Sequence, residues 1–174
     1  MALREVVQFP DPRLKEVSKP ITEVTDELRE LAADMIDVMY DEPGIGLAAP
    51  QVGASVRMFV IDTEWGDEEN EKSPSVVINP EISEREGRIT WDEGCLSVPD
   101  YTANVERDAT ITLKGQDLDG NTIEERVEGL RAVCIQHEVD HLDGVLFIDR
   151  ISRLKRSLYV KKRKKQLRLE LEEA

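Results

Sequence analysis

The chain has 174 residues, 40% of them hydrophobic and 34% charged, with a formal net charge of −14. That balance belongs to a globular chain long enough for one domain with a real core. It lacks any apolar run of membrane-spanning length, any basic-then-apolar signal pattern over Met1–Pro10, and any cysteine framework beyond Cys95 and Cys134, so a membrane protein is excluded and a reducing cytoplasm is the expected setting.

The charge is uneven. From residue 150 onward there are ten Lys/Arg against three Glu, which leaves 13 basic and 34 acidic residues before it. An acidic body argues against DNA or general RNA binding by the main surface. The tail is a separate question.

In chain order, Pro10, Pro12 and Pro20 predict an extended arm with a turn or short helix. Thr25 reads as an N-cap, and Leu28, Leu31, Ala32, Met35, Ile36 and Met39 repeat at helical spacing, giving a helix over about 25–41. Pro43-Gly44 ends it. Gly44 to Gln51 is small and apolar. It is either a tight loop into a buried strand or a place where a ligand nears the backbone, and no phosphate-loop lysine follows. Gln51 brings an amide that needs a partner. Arg57–Ile61 reads as a strand, 67–72 as a charged loop, and Val76–Ile78, the region of Ile82, and Arg88–Trp91 as further strands. Ala109–Leu113 and Thr122–Val127 read as a hairpin through the turn at Asp117–Asn121. A long helix starts near Gly129, with Leu130, Val133, Cys134, His137 and His141 on one face.

That helix contains Gln136-His137-Glu138-Val139-Asp140-His141 and both histidines of the chain. Four residues advance an α-helix by about 400°, so the two imidazoles point the same way, one turn apart. In such a pair the histidines hold a divalent ion, and the intervening glutamate, Glu138, moves protons for a water activated there. A catalytic ion of this kind takes three protein ligands. With no third histidine, Glu93-Gly94-Cys95-Leu96-Ser97 offers the best candidate in Cys95. Cys134 competes, but it shares a rigid helix with both histidines and reads more simply as a small buried hydrophobe.

Gly44–Gln51, Glu93–Ser97 and Gln136–Leu142 together resemble the peptide deformylase family. Its pattern is Gly-x-Gly-Leu-Ala-Ala-x-Gln, then Glu-Gly-Cys-Leu-Ser, then Gln-His-Glu-x-Asp-His, and all three occur here in that order. The likeness extends over the amino-terminal arm and first helix. It implies an α+β fold, with antiparallel β-sheets wrapped around a central α-helix, residues 1–150 as a single catalytic domain and 151–174 as a basic C-terminal helix. It implies that Cys95, His137 and His141 bind the metal, Fe²⁺ in the cell, with Zn²⁺, Ni²⁺ or Co²⁺ as substitutes in purified protein. Glu138 is then the general base and acid, while the Leu96 N–H and the Gln51 side chain stabilise the oxyanion. Ile45, Gly46 and Gly94 resemble substrate-backbone contacts, and Val133 and Cys134 part of the methionine pocket, with plain helix core as the competing reading for those two. The implied reaction removes the formyl group from the formyl-methionine of new polypeptides and releases formate. Some members carry an arginine seven residues after the metal cysteine; here Thr102 stands there.

Ser152–Glu170 reads as a basic helix, with Leu154, Leu158, Val160 and Leu167 available to pin one side to the body. It is either a solvated charged face or a contact for ribosomal RNA, from which the substrates emerge. Two rivals share parts of this pattern. A zinc endopeptidase usually takes its third ligand downstream of the histidine pair, where this chain offers no histidine. A non-catalytic RNA-associated module would close its metal with four ligands, and only three are apparent.

Overall fold

Thr25 caps the first helix as its position requires: the hydroxyl accepts the Leu28 amide at 3.2 Å, and Asp26 and Glu27 occupy the first turn, where acids suit the helix dipole. The computed structural model describes residues 3–66 and 69–173. Asp67 and Glu68, part of the charged loop expected over 67–72, lie outside the described residues, as do Met1, Ala2 and Ala174. The first helix, α1 (Asp26–Asp41), buries Leu28, Leu31, Ala32, Met35, Val38 and Met39, which is the expected stripe with Val38 added and Ile36 only half-buried.

Five antiparallel strands lie side by side in sequence order: β1 (Gly46–Ala48), β2 (Met58–Ile61), β3 (Ser75–Cys95), β4 (Val98–Gln116) and β5 (Thr122–Glu128). They form one hydrogen-bonded sheet among the described residues. Register shifts between Ile78 and Glu81 and between Ser83 and Glu86 interrupt the β3–β4 ladder; such irregularities bend a sheet and help it wrap. The helix α2 (Gly129–Leu142) follows β5 directly, and α3 (Arg153–Glu173) comes last. This is the α+β arrangement expected, with α2 at its centre.

Packing explains the strand sequences. All four residues of β2 are buried, because Met58 and Val60 pack with α1 while Phe59 and Ile61 pack with α2. A strand covered on both faces has no use for alternating polarity. The β4–β5 turn forms as expected, with Asp117 Oδ1 accepting the amides of Asp119 and Asn121, each at 2.9 Å. The long hairpin differs from expectation. The fragments near 76–78, 82 and 88–91 are parts of one strand, β3, and residues 98–108 belong to β4. Ala103, Val105 and Arg107 alternate inward there, and a charged residue at an inward position hides the apolar period.

The tail also differs. Leu154 and Leu158 do not pin α3 to the body; they are 70% and 59% exposed. Tyr159 and Arg163 face inward instead, one helical turn apart. The Tyr159 ring stacks on Tyr101 at 4.8 Å and its hydroxyl donates to the Pro99 carbonyl. Arg163, in the middle of the basic run, donates to the Phe9 carbonyl at 2.9 Å and to Gln8 Oε1 at 3.2 Å. An aromatic ring, a guanidinium that satisfies the Phe9 carbonyl and Gln8 Oε1, and the half-buried Val160 beside them hold this face, while the two leucines stay in solvent. Tyr159→Ala should therefore cost about 3 kcal/mol of stability, whereas Leu158→Ala should stay within about 0.5 kcal/mol. Urea melts of the two variants check the ranking, and the reverse order would mean that α3 packs on its other face.

Candidate metal centre

The β3–β4 hairpin turns tightly at its tip. Cys95 ends β3, Leu96 and Ser97 make the turn, and Val98 pairs back with Cys95. The turn delivers the thiol to α2, where His137 and His141 face it. Cys95 Sγ lies 3.3 Å from His141 Nε2, and the two Nε2 atoms are 3.2 Å apart. These three donor atoms form the one cluster of potential metal-ligating side chains found among the described residues. Cys134, the competitor for the third position, lies outside this cluster: its Sγ points to the Ile45 carbonyl at 3.9 Å, and burial holds its thiol well above the ordinary cysteine value. A protonated thiol is a poor ligand.

The donor set fits a divalent ion. Nitrogen and sulfur donors held tetrahedrally at about 2.0–2.3 Å from one ion lie roughly 3.3–3.6 Å from one another, close to the spacings here. The electrostatics agree. Burial works against a charge on His137, yet Cys95 and Glu93 outweigh it and hold its pKa well above the ordinary value. Burial and the charge on His137 push His141 well below. His141 is thus held neutral, the form in which an imidazole nitrogen binds a metal.

Behind the donors lies a buried ionic chain. His137 Nδ1 is 2.9 Å from Glu93 Oε1. Arg107 grips Glu93 with two nitrogens, each at 2.8 Å, and reaches Asp140 with a third at 2.5 Å. Arg150 then binds Asp140 from the outer side at 2.5 and 2.7 Å. A carboxylate on the far nitrogen of a metal-binding imidazole fixes the ring's tautomer and orientation. For Glu93, burial raises the pKa, but Arg107 and His137 reverse that and keep it ionised. His141 Nδ1 has no partner among the described residues.

Two polar groups face the same point. Gln51 is 2% exposed; its Oε1 accepts the Ala48 amide at 3.0 Å, while Nε2 donates to Ser97 Oγ at 3.1 Å and lies 3.5 Å from Cys95 Sγ. Its amide donor therefore sits beside the ligand cluster. Glu138 is 2% exposed, and its Oε1 has no hydrogen-bond partner among the described residues. Burial, the largest influence, raises its pKa to about 7, a value suited to taking and returning protons. Gly46 touches it so closely that an added Cβ would lie 2.7 Å from Glu138 Oε2 and 2.9 Å from Cys134 Sγ, so any side chain here would push those groups aside.

A cavity of about 610 Å³ opens over these groups, and Ile45, Gly46, Gln51, Gly94, Cys95, Leu96, Val133, Cys134, His137 and Glu138 all line it. Every candidate from the sequence except His141 therefore borders one space, and His141 lies directly behind with 1% exposure. Thr102, which pairs with Gly94 across the hairpin, lines it too, as do Asp100 and Trp91. Sequence reasoning gave no role to Glu93, Ser97, Arg107, Asp140 or Arg150. Glu93 and Asp140 lay inside quoted motifs and could have been found as buried partners; Arg107 and Arg150 carried no local signal.

Comparison with known proteins agrees with this geometry. A family model described as polypeptide deformylase matches residues 3–157. A peptide deformylase from Rhodopseudomonas palustris strain BisB5 is 52% identical over 163 residues, covering 93% of each chain. The crystal structure of a peptide deformylase from Legionella pneumophila has a TM-score of 0.88 at 44% identity, covering 98% of both chains. The peptide deformylase from Ehrlichia chaffeensis in complex with actinonin has a TM-score of 0.88 at 36% identity, covering 95% of this chain and 98% of the other. Likeness at this level, over nearly the whole length and in both sequence and fold, makes this chain a member of the polypeptide deformylase family.

Proposed function

We propose that this chain is a peptide deformylase that holds one divalent ion on Cys95, His137 and His141 and hydrolyses the N-formyl group of formyl-methionyl polypeptides, releasing formate. The observation that carries the reading is the cluster of those three donors at a cavity that Cys95, His137, the buried Glu138 carboxylate and the Gln51 amide all line. The bound ion would acidify a water and polarise the formyl oxygen. Glu138 accepts the proton of the attacking water and delivers it to the leaving amine as the carbon–nitrogen bond breaks. Gln51 Nε2 and the Leu96 N–H meet the charge that develops on the formyl oxygen. Ile45, Gly46 and Gly94 line up the substrate backbone, and Val133 and Cys134 wall the methionine side chain. In the cell the ion is Fe²⁺, with Zn²⁺, Ni²⁺ or Co²⁺ as substitutes in purified protein; a thiolate and two imidazoles suit all four.

A formyl carbon bears only hydrogen, so a close-walled site admits it and rejects bulkier acyl groups. Metal analysis paired with a formate-release assay tests the reading. Formyl-Met-Ala-Ser should turn over at least about a hundredfold better than acetyl-Met-Ala-Ser, with one ion per chain and no cleavage of internal peptide bonds. Equal turnover of the two peptides would reject the selectivity argument, and internal cleavage would favour the endopeptidase.

We place the enzyme in the cytoplasm, where Cys95 and Cys134 stay free; no described helix is long and apolar enough to cross a membrane. Residues 1–150 act as the catalytic domain and 151–174 as a basic helix packed on it. Lys161, Lys162, Lys164 and Lys165 are exposed on α3, opposite in sign to the body, and suit an oriented approach to ribosomal RNA. Exchanging these four lysines for glutamate should weaken ribosome co-sedimentation and flatten its salt dependence, with activity on short peptides kept. Unchanged co-sedimentation would leave α3 a solvated face.

A further inference from the structure

The chain has two tryptophans, and Trp65 lies on the segment between β2 and β3, outside all three motifs. Its indole N–H donates to the Gly44 carbonyl at 2.9 Å. One residue on, the Ile45 carbonyl accepts the Asp62 amide at 2.8 Å. Two consecutive carbonyls on the rim of the cavity are thus held by a single segment.

That segment is itself fastened at several points. Asp62 is 3% exposed, and its Oδ2 accepts the Tyr40 hydroxyl at 2.6 Å and the Ser73 amide at 2.8 Å. The Tyr40 ring meets Trp65 edge-on at 5.0 Å. The Lys72 ammonium sits 4.5 Å from the Tyr40 centroid and 5.6 Å from that of Trp65, close enough for attraction to both ring faces. Trp65 is therefore held by Tyr40 of α1 on one side and by Lys72 of its own segment on the other, and it transmits that rigidity to Gly44. The rim cannot drift without consequence. The Gly46 backbone already lies so near Glu138 and Cys134 that a methyl group added there would displace their side-chain ends.

We propose that Trp65 is a positioning residue for substrate: its N–H fixes the main chain of Gly44–Gly46 at the distance from Glu138 that a bound formyl-methionyl backbone requires. The proposal rests on the deformylase reading, and it assigns Trp65 no contact with reacting atoms. Fixing the rim before substrate arrives removes an ordering cost from binding and leaves the chemical step alone.

Trp65→Phe tests this in the full-length, metal-loaded enzyme, because it keeps an aromatic ring against Tyr40 and Lys72 and deletes the donor. KM for formyl-Met-Ala-Ser should rise about three- to tenfold, the reach of one neutral hydrogen bond, with kcat within about twofold and metal content unchanged. Amide hydrogen exchange over residues 43–47 should quicken in the same variant. Unchanged KM overturns the proposal, and so does a fall in kcat and metal content alongside KM, which would mark a general structural role. Failure of the wild-type enzyme to release formate would instead bring down the deformylase reading. Exchange over 43–47 would then decide alone, and no change there would overturn the pinning of the rim.

Discussion

Glu138→Gln should lower formate release by about 10²–10⁴-fold while leaving the metal bound. Glutamine matches glutamate in volume, so the crowded contact with Gly46 survives. None of the three donor atoms belongs to Glu138, so the ion keeps its ligands. What the amide loses is the ability to take a proton from water and return it to the amine. A buried carboxylate whose pKa is raised to about 7, with one oxygen lacking a hydrogen-bond partner among the described residues, has no evident structural duty to explain its retention. Buried ionisable groups without partners cost stability, and their natural place is a catalytic site. The variant should therefore melt no lower than the wild type. Elemental analysis together with single-turnover formate release checks it. Activity close to wild type would remove Glu138 from the mechanism, and loss of the ion would recast it as part of the metal's support.

Arg107→Ala should destabilise the fold by about 3–5 kcal/mol and weaken metal binding by about 10–100-fold. Its side chain is 3% exposed, and it neutralises two carboxylates, Glu93 and Asp140, whose side chains are 4% and 10% exposed. Alanine would leave both charges buried with too little compensation. The metal effect follows from the same chain: a Glu93 carboxylate no longer gripped on both oxygens would hold His137 Nδ1 less firmly. Against a total stability of about 5–15 kcal/mol the loss is large enough that Arg107→Ala could fail to fold. Arg107→Lys is the companion variant. It keeps a charge but loses the planar fork that serves Glu93 and Asp140 together, so it should fold and still release its ion to a chelator faster than wild type. Chelator competition and thermal melts report both effects. Wild-type behaviour of the lysine variant in both assays would show that the ionic chain does not support the metal centre.

Much of the metal centre was legible beforehand because its parts are local. The His137–His141 spacing is a property of one helix turn, and the Thr25 cap, the α1 stripe and the Asp117–Asn121 turn are written within a few residues of chain. The absence of a third histidine also pointed the third ligand to Cys95, with Cys134 as its competitor. The rigidity of one helix already favoured Cys95 over Cys134, but how Cys95 reaches the histidines depends on a turn at the end of a 21-residue strand, which no local pattern shows. The same limit explains β4. Arg107 broke the apolar pattern over 98–108, and its reason for facing inward lies 14 residues upstream in Glu93 and 33 downstream in Asp140.

Leu154 and Leu158 show the converse error. Their apolar character and spacing were real, but Tyr101, Pro99 and Phe9 on distant segments drew Tyr159 and Arg163 inward instead. Trp65 carried no motif at all, and only its reach to Gly44 gives it a role.

By itself, then, the sequence determined the helices, the hairpin turn and which residue types could bind a metal, because each depends on neighbours a few positions away. The tertiary structure decided how the Cys95 turn meets the histidines, which charges stabilise one another in the interior and which face of α3 is covered. Those outcomes depend on burial and pairing between residues far apart in the chain, where the cost of an unpartnered charge outweighs any local preference.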